Sequence, residues 1–167
     1  PLGHTFNMAE TYQIIVIGAG AAGMMAAGRA AELGASVLLL EKMERQGKKI
    51  LITGNGRCNL TNSLEMDSFI SRFGTNGRFL YGAFNHFFRD ELLALLKRYD
   101  VECKTEPNGK IYPTTDNARD IVRAFQSYMA DGKVTVQFGM NVTGVSVEKG
   151  RVSGVETIAG NIPSSAV

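Results

Sequence analysis

Three glycines and one carboxylate supply the first chemistry this sequence can do. Gly18, Gly20 and Gly23 stand in the spacing GxGxxG, after the apolar run Ile14-Ile15-Val16-Ile17 and before an alanine-rich stretch. Glu41 ends a second apolar run about 20 residues further on. Gly18 permits a tight turn after a strand. Gly20, lacking a Cβ, lets the backbone approach a diphosphate, and Gly23 lets helix and strand pack closely. The helix N-terminus then turns unpaired N–H groups and a partial positive charge toward an anion. A carboxylate at position 41 accepts hydrogen bonds from ribose hydroxyls and repels a 2′-phosphate. The set predicts a grip on the ADP half of FAD or NAD, and disfavours NADP. These four residues leave FAD and NAD open.

A second polar glycine loop follows, Gly47-Lys48-Lys49-Ile50-Leu51-Ile52-Thr53-Gly54-Asn55-Gly56-Arg57-Cys58-Asn59-Leu60-Thr61-Asn62. A grip on NAD alone has no need for it. FAD is longer, and its ribityl chain and isoalloxazine ring require further backbone donors. Gly54 and Gly56 permit close approach to a flat ring. Lys48, Lys49 and Arg57 can offset phosphate charge or stabilise an anionic reduced flavin. The second loop points to FAD.

The elements that must position these loops are legible from periodicity. A strand is expected at 12–17, a helix at 21–33 stopped by Gly34, and a doubly buried strand at 36–41. Residues 42–62 read as one long loop. A short helix at 66–72 precedes Leu80, Phe84, Phe87, Phe88, Leu92, Leu95, Leu96 and Tyr99 at helical spacing. Segments 101–106 and 110–112 flank Pro107-Asn108-Gly109, a hairpin signal. Thr115 or Asp116 can cap a helix running to about 130, where Asp131-Gly132 stops it. Three short strands follow at 133–138, 141–148 and 151–158, and 162–167 reads as the approach to another buried strand. The expected fold class is α/β, a Rossmann-like FAD-binding βαβ domain with an inserted helical and hairpin segment. The expected divisions are a tag or disordered start at 1–11 with Met8 the natural start, the FAD-binding βαβ and second glycine loop at 12–62, the helical segment with its hairpin at 63–132, and strands at 133–167 returning to the FAD-binding domain.

The loop at 47–62 resembles the signature of the BaiN/RdsA-type NAD(P)/FAD-dependent oxidoreductases, the aminoacetone-oxidase-like flavoproteins. Gly109-Lys110-Ile111-Tyr112-Pro113 and the helix start at Asn117-Ala118 resemble elements of the same family. The resemblance implies FAD as cofactor, held by Gly18, Gly20, Ala21, Ala22, Glu41, Lys42, Gly47, Lys48, Gly54, Asn55, Gly56, Arg57 and Cys58. Val142 is similar to a position where related flavoproteins touch the adenine through the backbone. The resemblance also implies transfer of electrons or hydride through FAD, between NAD(P)H or oxygen and an organic substrate. Family substrates are as different as unsaturated steroids, aminoacetone and a uridine of large-subunit ribosomal RNA that is reduced to dihydrouridine. A small molecule or ribosomal RNA is therefore the expected partner of a bacterial member. Because members are longer, the sequence is read as the truncated N-terminal FAD-binding part, inactive alone.

Composition sets the outer limits. Hydrophobic residues make up 44% and charged residues 20% of 167, as in ordinary soluble domains. A net charge of +2 implies neither a nucleic acid nor a membrane by itself. The 2 cysteines, Cys58 and Cys103, form no CxxC pair, which points to a reducing, cytoplasmic setting. No apolar run reaches the ~18 residues of a membrane span. No residues stand at metal-ligand spacing, and no catalytic acid or base can be named. Cys58 reads as a small buried residue and the Phe84, Phe87, Phe88 cluster as core. The competing functional class is a non-catalytic nucleotide- or RNA-binding module.

Overall fold

A computed structural model describes residues 11–167. The expected tag and the natural start at Met8 lie outside the described residues. Along the chain run β1 (Tyr12–Ile17), α1 (Ala21–Glu32), β2 (Val37–Glu41), α2 (Lys48–Ile52), β3 (Thr61–Asn62), α3 (Met66–Ser71), α4 (Tyr81–Phe84), α5 (Arg89–Arg98), β4 (Cys103–Thr105), β5 (Lys110–Pro113), α6 (Ala118–Asp131), β6 (Thr135–Phe138), β7 (Val142–Glu148), β8 (Arg151–Thr157) and β9 (Gly160–Ala166). They form two compact units. The first joins the described residues up to Lys48 with Gln126–Val167, and the second is Lys49–Phe125.

The first unit is built on a sheet of order β6-β2-β1-β9-β8-β7. Strands β6, β2, β1 and β9 are parallel, while β9, β8 and β7 form an antiparallel meander. Strand β2 pairs on both edges, and Val37, Leu38, Leu39 and Leu40 are all buried, so its unbroken apolar run marks a strand covered on both faces. The core gathers Tyr12, Ile15, Leu38, Leu40, Val155 and Ile162. Helix α1 buries Met24, Ala27, Gly28 and Ala31. A Cβ on Gly28 would stand 2.4 Å from the Tyr128 ring, and one on Gly132 would stand 2.7 Å from Ala31 Cβ. These glycines let α1 and the end of α6 approach closely, and Tyr128 donates its hydroxyl to Glu32 Oε2 at 2.9 Å.

The second unit carries a three-stranded antiparallel sheet of order β3-β5-β4. Ile70, Leu96, Val101, Ile111 and Tyr112 are buried in it. Beside α3 the rings of Phe69, Phe73, Phe84 and Phe88 pack in tilted and edge-on pairs, with centroids 5.1 to 6.5 Å apart. Phe84 and Phe88 thus serve packing, as their spacing implies.

The fold is the expected Rossmann-like α/β architecture, and three local expectations are corrected. Residues 42–62 are not one loop, because α2, a tight turn at Thr53–Gly56 and β3 lie within them. The helical stretch around 80–99 is broken into a 3₁₀ segment at Gly74–Leu80, then α4 and α5. The stretch at 162–167, expected only as the approach to a strand, lies within a strand of its own, and the three expected strands are present. Strand β6 is the outer parallel neighbour of β2, β7 and β8 form a hairpin, and Gly160–Ala166 is a full strand inserted between β8 and β1.

Candidate functional site

In the first unit the turn after β1 is closed by backbone bonds. Gly18 takes φ +94° and donates its N–H to Leu40 O at 2.7 Å. Gly20 caps α1 in an extended conformation, φ −80° and ψ −175°. The first bond of the helical ladder runs from Met24 N–H to Gly20 O at 3.0 Å. The N–H groups of Ala21, Ala22 and Gly23 precede that ladder. No side chain caps the helix, and its first turn holds no acidic residue. A Cβ on Gly20 would meet nothing within 4 Å, whereas one on Gly23 would sit 1.8 Å from Gly18 O. The two glycines therefore differ in task. Gly23 is needed by the fold, and Gly20 keeps open the space before the helix N-terminus. That space, the unsatisfied donors and the helix dipole can accommodate a diphosphate.

Glu41 is built into the same turn. Ala19 donates its N–H to Glu41 Oε2 at 2.7 Å, and Met43 donates to Oε1 at 2.8 Å. Each carboxylate oxygen has two lone pairs, so capacity for ribose hydroxyls is left on both. Gly47 N–H donates to Ala19 O at 2.8 Å, and Met140 N–H donates to Glu41 O at 3.0 Å. Gly18 to Gly23, Glu41, Lys42, Gly47 and the segment leading into Val142 thus meet within one unit. Val142 opens β7 opposite Thr157 and packs against the core. Lys42 and Lys48 are exposed.

The second unit holds the rest of the glycine loop. Gly54 (φ 58°, ψ 35°), Asn55 (φ 55°, ψ 41°), Gly56 (φ 83°) and Cys58 (φ 64°) are all left-handed. A Cβ on Gly54 would lie 2.9 Å from Asn59 N and 3.2 Å from Tyr112 Cε1, so the loop's own closure requires this glycine. Gly56 faces more open space, its nearest neighbour being Leu51 O at 3.9 Å. Arg57 Nη1 lies 2.6 Å from Glu106 Oε1 and 3.5 Å from Asp116 Oδ1, and the guanidinium sits 4.0 Å over the Tyr112 ring. The hydrogen bond to Glu106 raises the Arg57 pKa further. Asp116 is held below the usual carboxylate range by its hydrogen bond from Lys104, then by the charges of Lys104 and Arg57. Burial pushes the Cys58 thiol up to about 11, which leaves it neutral at physiological pH.

Sequence reasoning missed Ala19, Met43 and Met140, which act through backbone N–H groups and leave no side-chain signature. It also missed Glu106 and Asp116, whose only signal is charge opposite to Arg57. His86 is exposed. Among the described residues, no group of three or more His, Cys, Asp or Glu side chains could hold a metal ion. Among them, too, no helix is long and apolar enough to cross a membrane.

Comparison with known proteins agrees with this geometry. The family model described as HI0933-like protein Rossmann domain matches residues 12–167. The chain is 30% identical over 141 residues to a ribosomal RNA dihydrouridine synthase of Escherichia coli, covering 84% of this chain and 34% of that protein. It is 36% identical over 132 residues to a 3-dehydro-bile acid delta(4,6)-reductase of Clostridium scindens, covering 78% and 32%. The chain thus spans about a third of the length of these curated relatives. Among solved structures, a 3-ketosteroid-delta4-(5alpha)-dehydrogenase of Rhodococcus jostii superposes with TM-score 0.68 at 16% identity, over 98% of this chain and 45% of that one. That likeness concerns the fold. With the glycine turn, Glu41 and the doubly buried β2 in place, the chain belongs to the HI0933-like family and forms its Rossmann domain.

Proposed function

We propose that this chain is the cofactor-holding part of an enzyme that passes a hydride from NAD(P)H through FAD to an unsaturated carbon–carbon bond. The observation that carries the reading is the pairing of an open helix N-terminus at Gly20 with a carboxylate, Glu41, fixed beside it by Ala19 N–H. Bound FAD supplies the two-electron relay. The chain's own residues bind and orient. The N–H groups of Ala21 and Ala22 would hold the pyrophosphate, Glu41 would accept from the ribose hydroxyls, and the backbone near Val142 would serve the adenine. Lys42 and Lys48 offset phosphate charge.

The relatives' names support reduction of a conjugated double bond. One makes dihydrouridine in ribosomal RNA and the other reduces a dehydro-bile acid. We favour the RNA uridine as substrate of the whole protein. The purified chain, titrated with FAD, is expected to acquire flavin absorbance and quench flavin fluorescence, with no competition from NADP. Failure to take up FAD, or displacement of FAD by NADP, overturns the reading.

A further inference from the structure

The second unit presents a surface that the cofactor grip does not use. Two recesses lie side by side and share Phe73. One, of about 420 Å³, is lined by Asn62, Phe69, Arg72, Phe73 and Asn108 among others. The other, of about 590 Å³, is lined by Phe73, Thr75, Asn76, Arg78, Phe79 and Leu80. The sequence builds the pair from a repeated dipeptide, Arg72-Phe73 and Arg78-Phe79, around the turn at Gly74 (φ +69°). The segment is anchored from beneath. A Cβ on buried Gly77 would stand 2.3 Å from Ile70 O, so the glycine lets this stretch lie directly on α3. Tyr81 donates its hydroxyl to Asp67 at 2.8 Å. With Gly77 turned inward, Phe79 is left 89% exposed, and Phe73 is 51% exposed while its ring still packs on Phe69 at 5.5 Å.

Arg57 and Arg89 of the same unit are held by carboxylates. Arg72 and Arg78 are exposed, and among the described residues no ion pair holds either. Two exposed aromatic faces alternating with two unpaired guanidinium groups match the chemistry of a single strand of nucleic acid, in which flat bases alternate with phosphates. A duplex hides its base faces, so the same surface offers it only the arginines.

We infer that this surface binds single-stranded RNA, with bases on Phe73 and Phe79 and backbone phosphates on Arg72 and Arg78. The inference deepens the RNA reading of the substrate above and rests on it for the choice of probe. The test is a fluorescence-anisotropy titration of the purified chain with a labelled uridine-containing single strand, at two salt concentrations, with FAD uptake measured on the same preparation. The single strand is expected to bind more tightly than the duplex of the same sequence. Phe79→Ala is expected to weaken binding at least about fivefold, and Arg72→Gln with Arg78→Gln to reduce the log–log salt slope by about 0.7 each. FAD uptake is expected to stay the same in every variant, since these residues lie outside the grip. Unchanged RNA affinity in Phe79→Ala, or preference for the duplex, overturns the inference. So does self-association of the chain that Phe79→Ala relieves, which would identify a second copy as the occupant. Failure of the unsubstituted chain to bind the single strand while it takes up FAD overturns this inference alone, and failure of that chain to take up FAD overturns the cofactor reading.

Discussion

The backbone N–H of Ala19 and the carboxylate of Glu41 are 2.7 Å apart, so the acidic residue expected to bind ribose also fastens the glycine turn to the end of β2. The second oxygen accepts from Met43, and one side chain thus ties the glycine turn and the residue at position 43 to the end of β2. Glu41→Ala removes two charge-assisted hydrogen bonds, each worth roughly 1.5–3 kcal/mol. FAD affinity is expected to fall at least about tenfold. Glu41→Gln can satisfy only one of the two donors and is expected to lie between. Titration calorimetry with FAD checks the order, and equal affinity in the three proteins would remove Glu41 from the grip.

The second and third glycines of the motif, Gly20 and Gly23, are expected to separate. Gly23→Ala drives a Cβ into the Gly18 carbonyl and is expected to destabilise the fold by about 1–3 kcal/mol or more. Gly20→Val has room in the protein alone, and its melting temperature is expected to stay near that of the parent. The same side chain fills the space before the helix, and FAD binding is expected to be lost. Thermal melts and flavin titrations on both variants decide the matter.

Cys58 is expected to react slowly with iodoacetamide in the native protein. It is buried, and burial pushes its thiol up to about 11. Urea should release it to the rate of an ordinary thiol. Rapid native labelling at Cys58, mapped by peptide mass, would contradict the buried placement.

Acid should loosen the second unit through Asp116 and Asp120. Both carboxyls are held below their usual range, Asp116 chiefly by the hydrogen bond from Lys104 and Asp120 chiefly by the one from Thr115, with Arg123 adding to it. A depressed folded-state pKa means the stabilisation is present above the unfolded value, about 3.9. It is lost as pH falls through the folded value. These groups thus leave the melting temperature level from neutrality to about pH 4 and lower it below that. Asp116→Asn should flatten this acid limb, and a melt series in which it does not would assign the limb elsewhere.

The parts legible in the sequence are those whose signal is local. Gly18, Gly20, Gly23 and the run Val37 to Leu40 announce β1, α1 and β2 because a tight turn and a doubly buried strand each demand particular residues at particular positions. Helix α2 gave no such signal. Its five residues bury only Ile50, too few for a period to emerge. Residues 162–167, with Pro163 and two serines, read only as the approach to a buried strand, whereas β9 is itself a strand from Gly160 onward. It is one because β8 and β1 pair with it, and because Ser164 Oγ donates to Gln13 O at 3.1 Å. The clasp of Arg57 by Glu106 and Asp116 joins residues far apart in sequence, and no spacing rule reaches that distance.

Strand β2 obtains its outer neighbour, β6, only after the whole of Lys49–Phe125 has intervened. During synthesis the βαβ start therefore emerges with the unpaired edge of its most apolar strand open to water and to other chains. At about 5–20 residues per second the wait is on the order of ten seconds. The nucleotide grip is thus begun before the second unit is made and closed only after it, and for that interval β2 has no neighbour on this edge.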